Sequence, residues 1–301
     1  MKLDNSWRAL VNPGAATEYF DLRDRIALDL KVGDFCPRTA WWLAELSRLL
    51  YRKAGEDPES DRPGPSRQSV LADVGLMESA FLNHAGTQCA IIVPDRPVTV
   101  SFVVVVFRGT DGWKDWSYNL RIRPVRGPGI SRVHHGFQLA LDAIWNELDG
   151  HLDNLNPRLF FTGHSLGGAL AMLAAARRRP TAVYTYGAPR VGDRQFSESV
   201  RDVRTYRIVN HADLVTRIPP RRGPIRFQHA GRLVYLSHDH QMHMEPSDSL
   251  VSADRRKIGP LPPNRLAWRS GRQPPPLLSD HAPINYVAQL DRHVRTESGP
   301  G

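Results

Sequence analysis

A serine between glycines is the residue of this chain whose surroundings point most directly to chemistry. The pentapeptide Gly163-His164-Ser165-Leu166-Gly167 fits the pattern G-x-S-x-G, and it stands between the apolar stretch RLFFT and the Ala-rich stretch ALAMLAAA. A strand, a sharp turn and a helix in that order lift the hydroxyl of Ser165 above a sheet edge, where it can attack a carbonyl carbon. The helix N-terminus supplies backbone N–H donors, and the N–H of Leu166 is the expected donor to an oxyanion.

A serine hydroxyl becomes a strong nucleophile only when an oriented base accepts its proton. Asp213 follows Ser165 in the chain and comes just after the predicted strand TYRIVN, a position typical of catalytic acids, although most loop aspartates are turn or cap residues. The chain has 12 histidines, so counting does not select the base. His281, at the start of a predicted helix, has the most suitable position; His211 is very near Asp213, and His229 is expected to form hydrogen bonds inside the fold.

A second oxyanion donor is expected at the end of a buried strand. The segment FRGT, residues 107–110, ends the apolar stretch 98–107. Thr110 can therefore project over the sheet edge beside Ser165, where its N–H and its hydroxyl are both donors. The alternative is a plain turn with a solvated arginine.

The elements that must position these residues alternate along the chain. Helical spacing of apolar residues predicts helices, and short apolar stretches rich in β-branched residues predict strands. The predicted helices are 39–53, 136–148, 192–200 and 281–294, and the predicted strands include 88–93, 98–107, AVYTYGAP and TYRIVN. This alternation indicates an α/β fold with a mainly parallel sheet covered by helices on both faces.

Composition limits the protein classes that remain. The chain has 301 residues, of which 41% are hydrophobic and 24% charged, as expected for a globular protein. Two cysteines, Cys36 and Cys89, exclude a disulfide framework. The net charge of +9 raises the possibility of a nucleic-acid partner, but most of the excess lies in residues 201–301 and no nucleic-acid-binding motif accompanies it. We expect no nucleic-acid partner; a basic surface there favours anionic lipid surfaces or has no partner.

Taken together, the separated segments resemble the class 3 lipases, the family of fungal triacylglycerol lipases, feruloyl esterases and their plant and bacterial relatives. The matching segments are FRGT, DWSYNL, VHHGF, GHSLGGALA, YTYGAPRVGD, RIVNHADLVTRIPP, FQHAGRLVYL and SDHAPINYVAQL. The resemblance implies an α/β-hydrolase fold and hydrolysis of carboxylic esters, most simply acylglycerols, without a metal or organic cofactor. It also implies Ser165 as nucleophile, Asp213 as acid and His281 as base. Thr110 and Leu166 would form the oxyanion hole.

In this family the segment after the oxyanion residue often forms a lid. Here that segment is 111–116, with Trp113 and Trp116, which would cover an acyl groove and meet a lipid–water interface. The alternative is that the two tryptophans anchor one helical turn on the core. The chain departs from the family at Thr216, where proline is common, and in the length of its Pro-rich segment 238–280.

The domain prediction is a single catalytic domain, 1–295, with an irregular insertion at 238–280 and a disordered tail at 296–301. His238, His240 and His243 lie within this insertion; they suggest a metal site, but irregular spacing favours a solvated loop. The first residues have no apolar signal core, so a cytoplasmic protein is expected, or a secreted one if the sequence begins after a cleavage site. Other candidate functions are a phospholipase A1, a short-chain or aryl esterase, and a catalytically silent lipid-binding relative.

Overall fold

A computed structural model gives the architecture of the chain. The described residues are 1–26, 30, 33–52, 65–98, 101–109, 124–153, 158–220, 226–258 and 274–297. The strands in chain order are β1 (Leu76–His84), β2 (Thr87–Pro94), β3 (Phe102–Phe107), β4 (Pro124–Arg126), β5 (Arg132–His134), β6 (Arg158–His164), β7 (Ala182–Tyr186), β8 (Thr205–Asn210), β9 (Arg232–Leu236) and β10 (Met242–Met244).

Within the described residues, eight of these strands form one sheet in the order β1-β2-β3-β6-β7-β8-β9-β10, while β4 and β5 pair separately. In this sheet the strands β3, β6, β7, β8 and β9 run parallel, and the pairs β1–β2, β2–β3 and β9–β10 are antiparallel. The carboxyl ends of β6, β7 and β8 therefore lie side by side. This is the edge where open α/β sheets place their sites.

Helices cover both faces of the sheet. They are α1 (Trp7–Val11), α2 (Pro37–Leu49), α3 (Arg67–Ala72), α4 (His135–Leu152), α5 (Leu166–Arg177), α6 (Arg194–Ser199), α7 (Asp248–Arg255), α8 (Pro276–Ser279) and α9 (Pro283–Glu297). Short 3₁₀ turns stand at Pro13–Ala15, Val215–Arg217 and Arg256–Ile258. None of the described helices combines the length and the apolar character that crossing a membrane requires.

The central strand β3 shows why the sheet needs helices on both faces. Its six residues, FVVVVF, are all buried, because alternate side chains of a strand point to opposite faces. Val104 and Val106 join an apolar cluster with α2 and α9, whereas Val103 and Val105 join another with α4 and α5. The predicted mainly parallel sheet with helices on both faces is confirmed.

Some predicted boundaries and one predicted segment were wrong. The first predicted helix, 39–53, is α2, which begins at Pro37 and ends at Leu49; the strand predicted over 98–107 begins at Phe102. The segment 238–280 is not irregular throughout, since it contains β10, α7 and α8. β10 continues as a hairpin from β9, and the side chain of Ser247 caps α7 by accepting from the N–H of Leu250. Local pairing and capping thus outweigh the polar, Pro-rich composition.

The predicted tail also needs correction. Helix α9 continues to Glu297, two residues into the segment that was expected to be disordered, and 298–301 lie outside the described residues. Residues 259–273 of the predicted insertion lie outside them as well.

Candidate active site

Ser165 occupies the turn between β6 and α5. Its backbone has φ +59° and ψ −126°, a conformation that costs a non-glycine residue about 1–3 kcal/mol and that clusters at functional sites. The N–H of Ser165 donates to the carbonyl of Tyr186 on β7 at 2.8 Å, which holds the turn against the sheet. Glycine is required beside it, since a Cβ on Gly167 would lie 2.0 Å from the carbonyl oxygen of Phe107.

Ser165, His281 and Asp213 form one continuous line of hydrogen bonds. The Oγ of Ser165 lies 2.9 Å from Nε2 of His281, and Nδ1 of His281 lies 2.8 Å from Oδ2 of Asp213. Asp213 is fully buried, and His281 and Ser165 are 7% and 4% exposed. Because the carboxylate can only accept, Nδ1–H of His281 donates to it and leaves Nε2 free to accept the serine proton.

The buried carboxylate of Asp213 receives further donors. The hydroxyl of Tyr286 on α9 donates to Oδ2 at 2.5 Å, and the N–H of Val215 donates to Oδ1 at 2.8 Å. Burial and the charge of Asp213 raise the pKa of the Tyr286 phenol well above its ordinary value, so this group is a protonated donor. These bonds offset the cost of burying the charge.

A second histidine, His164, lies directly against His281. The ring centroids are 4.5 Å apart. Nε2–H of His164 donates to the carbonyl of His281 at 2.7 Å, and Nδ1 accepts from the hydroxyl of Tyr51 at 2.8 Å. Burial, followed by the nearby charge of His281, lowers the pKa of His164 well below its ordinary value. His164 is therefore a neutral support for the backbone of His281.

Of the residues predicted for the oxyanion hole and the lid, the structure describes only Leu166. Leu166 is the first residue of α5, so its N–H is one of the helix N–H groups that lack an intrahelical partner. Thr110, Trp113 and Trp116 lie outside the described residues. The described residues before Thr110 lie close to the turn of Ser165: Phe107 at the end of β3 pairs with Gly163, and a Cβ on Gly109 would lie 2.8 Å from the carbonyl oxygen of His164.

The other histidines considered as candidates contact groups outside the line of Ser165, His281 and Asp213. His229 bonds to the carbonyl of Thr216 at 2.8 Å, as its predicted place inside the fold requires. His240 bonds to the side chain of Gln289 at 3.0 Å, and the ring of His238 packs against that of His211 at a centroid distance of 5.1 Å and an interplanar angle of 51°. Among the residues that the structure describes, no group of three or more His, Cys, Asp or Glu residues is arranged to hold a metal ion.

Sequence reasoning missed His164, Tyr286 and Tyr51. The signals available were weak: His164 fills a position that the G-x-S-x-G pattern leaves open, and Tyr286 follows His281 in the stretch HAPINY. Tyr51 lies just after the C-terminal end of α2, and it is 113 residues away in sequence from His164, which it contacts. Only the packing of α2 and α9 on the same face of the sheet brings these side chains together.

A serine at a strained strand–helix turn, followed in chain order by an aspartate and a histidine bonded to it, places this chain among the α/β-hydrolases. Within that class, residues 104–223 match the sequence model of the family Lipase (class 3). Over residues 104–223, the resemblance to the class 3 lipases that the sequence motifs predicted is therefore confirmed.

The chain is similar to several characterised lipases. It is 33% identical over 153 residues to a lipase of Rhizomucor miehei, which covers 45% of this chain and 42% of that protein. It is 37% identical over 138 residues to a secreted mono- and diacylglycerol lipase of Fusarium solani, covering 39% of each. A solved structure of the Rhizomucor miehei triacylglyceride lipase superposes with a TM-score of 0.52 at 26% identity, covering 70% of this chain and 86% of that one. The matched region thus spans about two fifths of the two curated relatives.

Proposed function

We propose that the protein is a serine carboxylic-ester hydrolase of the lipase type, acting on acylglycerol esters. The observation that carries the proposal is the hydrogen-bonded line from Ser165 through His281 to Asp213, at 2.9 and 2.8 Å. Similarity to a mono- and diacylglycerol lipase and to a triacylglyceride lipase supports the substrate class.

The proposed mechanism is acyl transfer in two steps. His281 accepts the proton of Ser165 as the serine oxygen attacks the ester carbonyl, and Asp213 holds the imidazole and stabilises its cation. His281 then protonates the leaving alcohol, which departs from the acyl-enzyme. A water molecule, deprotonated by His281, then attacks the acyl-enzyme. His281 returns this proton to the oxygen of Ser165 as its bond to the acyl group breaks, which releases the carboxylic acid and free Ser165. Besides the ester and water, these steps use the side chains of Ser165, His281 and Asp213.

The oxyanion of each tetrahedral intermediate would be bound by the N–H of Leu166 and by donors of Thr110. The place of Leu166 at the start of α5 supports its part of this assignment, because helix N-termini favour developing negative charge. Trp113 and Trp116 remain the proposed lid residues, positioned in sequence to meet a lipid–water interface.

We also propose that residues 1–295 form one catalytic domain. Contacts between distant parts of the chain support this: the N–H of Asp4 donates to the side chain of Asn285 at 2.8 Å, and the N–H of Phe20 donates to Glu45 at 3.0 Å. The first residues therefore pack on α9 and α2 of the same unit.

The substrate class is tested with a panel of esters. We expect hydrolysis of p-nitrophenyl esters and of mono-, di- or triacylglycerols, with a rise in rate when long-chain substrates exceed their solubility limit if a lid operates. The Ser165→Ala variant should keep the circular dichroism of the wild type and lose hydrolysis. Preference for phosphatidylcholine would favour a phospholipase A1, and exclusive cleavage of short-chain or aryl esters would favour an esterase. Bound lipid without turnover would indicate a silent relative.

A further inference from the structure

A second polar pair joins the segments that carry Asp213 and His281. His211 lies two residues before Asp213, and Asp280 lies directly before His281. Nδ1 of His211 is 3.0 Å from Oδ2 of Asp280. The same carboxylate oxygen accepts the N–H of Ala212 at 3.0 Å. One carboxylate thus connects both segments within one residue of the candidate acid and the candidate base.

The other ring nitrogen of His211 also faces an acceptor. Nε2 lies 3.3 Å from the carbonyl oxygen of Asp254, in the last turn of α7. A carboxylate and a carbonyl oxygen can only accept, so a neutral imidazole, with one N–H, satisfies one of them and points a lone pair at the other. The doubly protonated ring satisfies both.

The surroundings of His211 hold it in a conformation that its backbone alone would avoid. Its φ is +26°, and its side chain is buried. Its carbonyl oxygen accepts from Tyr235 Oη at 3.2 Å and from Arg255 Nε at 3.1 Å. Such strain persists when neighbouring contacts fix the residue.

The charges that face His211 favour its protonated form. Burial lowers the pKa of His211, but the hydrogen bond and charge of Asp280, together with the contacts of Asp254, outweigh it, and the net pKa is raised. The titratable and charged groups around the ring and its backbone come from β9, α7, the 3₁₀ turn after α7, the turn before β10 and the segment before α9: Tyr235, Asp254, Arg255, Lys257, His238 and Asp280.

We propose that His211 and Asp280 are positioning residues that keep Asp213 and His281 aligned, and that protonated His211 is the form that does so. Only the kinetic test of this inference depends on the proposed hydrolase function. When His211 loses its proton, one ring nitrogen faces an acceptor oxygen with a lone pair, and the contact between the two segments weakens. The distance between Asp213 and His281 then varies, and turnover falls.

The kinetic test compares three variants over a range of pH. His211→Gln removes the titrating group, Asp280→Asn removes its charge partner, and His84→Gln is the matched control, because His84 pairs with Glu147 on the exposed surface. At pH values where His211 is protonated, we expect the kcat of wild type to exceed that of H211Q roughly tenfold, with KM little changed. This ratio should fall towards one as the pH rises through the pKa of His211. The ratio of the kcat of D280N to that of H211Q should fall at lower pH, because D280N lacks the charge that favours protonated His211. The ratio of the wild-type kcat to that of H84Q should stay at one at every pH.

A spectroscopic test is independent of catalysis. The Nδ1 proton of His281, bonded to buried Asp213, should give a downfield ¹H resonance in the wild type. We expect this resonance to broaden as His211 loses its proton, and ¹³C-labelled histidine follows that titration directly. In H211Q the resonance should be broad at every pH.

The outcomes separate the two proposals. A wild-type protein that reacts with neither esters nor a fluorophosphonate refutes the hydrolase function, while the resonance still tests the pair. A wild-type/H211Q ratio of kcat that does not depend on pH, or an effect confined to KM, overturns the positioning role. If H211Q fails to fold, a wild-type Nδ1 resonance that is unaffected by the titration of His211 overturns it equally.

Discussion

A methyl group at Gly187 is expected to separate Asp213 from His281. Gly187 follows β7 with φ +61°, and a Cβ there would lie 2.7 Å from Oδ2 of Asp213 and 3.0 Å from Nδ1 of His281. Both atoms belong to the 2.8 Å hydrogen bond between the two residues. Since carbon contacts are most favourable at about 3.5–4.0 Å, the pair must move by several tenths of an ångström.

Gly86 provides the matched control. It also has a left-handed backbone, with φ +78°, but a Cβ there would meet nothing within 4 Å. Alanine at either position should cost about 1–2 kcal/mol of stability for its left-handed conformation. Only Gly187→Ala should also lower kcat, by roughly a hundredfold, the usual effect of misplacing a catalytic group by a fraction of an ångström to 1 Å.

The assay measures two quantities for each variant. Urea denaturation gives the free energy of unfolding, and hydrolysis of a soluble p-nitrophenyl ester gives kcat. We expect G187A to lose at least as much stability as G86A, because its methyl group also displaces buried neighbours, and we expect a large loss of kcat for G187A alone. If both variants keep wild-type kcat while folded, the contact of Gly187 with the Asp213–His281 pair has no catalytic importance, and our reasoning about the site is refuted.

Two further predictions follow from buried side chains near the site and in the core. Tyr286→Phe removes the 2.5 Å hydrogen bond to Asp213; a bond to a charged group contributes about 1.5–3 kcal/mol, so kcat should fall at least tenfold with the fold unchanged, and an unaltered kcat would count against a role for the phenol. His134 is fully buried against Phe137, with ring centroids 4.2 Å apart, and burial, with a smaller effect of His135, lowers its pKa from 6.5 to about 4. Between about pH 6.5 and 4 the unfolded chain therefore binds a proton at His134 that the folded chain does not. The free energy of unfolding decreases as the pH is lowered through this window, by about 2–3 kcal/mol at pH 4.5. His134→Phe should remove that part of the acid sensitivity in urea denaturation at pH 7 and 4.5; an unchanged pH dependence would show that His134 is not its source.

The parts of the fold that depend on local sequence patterns were predictable. The buried strand β3 shows its β-branched run directly, and the strand, glycine-flanked serine and Ala-rich helix around Ser165 lie within one continuous stretch of sequence. Helix α9 follows from its apolar spacing. In each case, residues close together in the sequence determine the type of element that forms.

Elements and contacts that depend on distant packing were not predictable in the same way. β1 was missed because its burial alternates only in part and leaves Met77 and Phe81 exposed. β10 forms only because β9 is beside it. The contacts of His164 with Tyr51 and His281, and of Tyr286 with Asp213, join positions that no sequence spacing relates. The sequence therefore identifies candidate site residues better than the residues that support them.

The identity of the nucleophile is tested most directly by covalent labelling. A fluorophosphonate should react once with the wild-type protein, and mass spectrometry of a tryptic digest should find the adduct on Ser165, in the peptide 159–177. Ser165→Ala should remain unlabelled, and His281→Ala should react much more slowly, since the base no longer accepts the serine proton. An adduct on another residue, or labelling of S165A at the wild-type rate, would contradict the proposed role of Ser165.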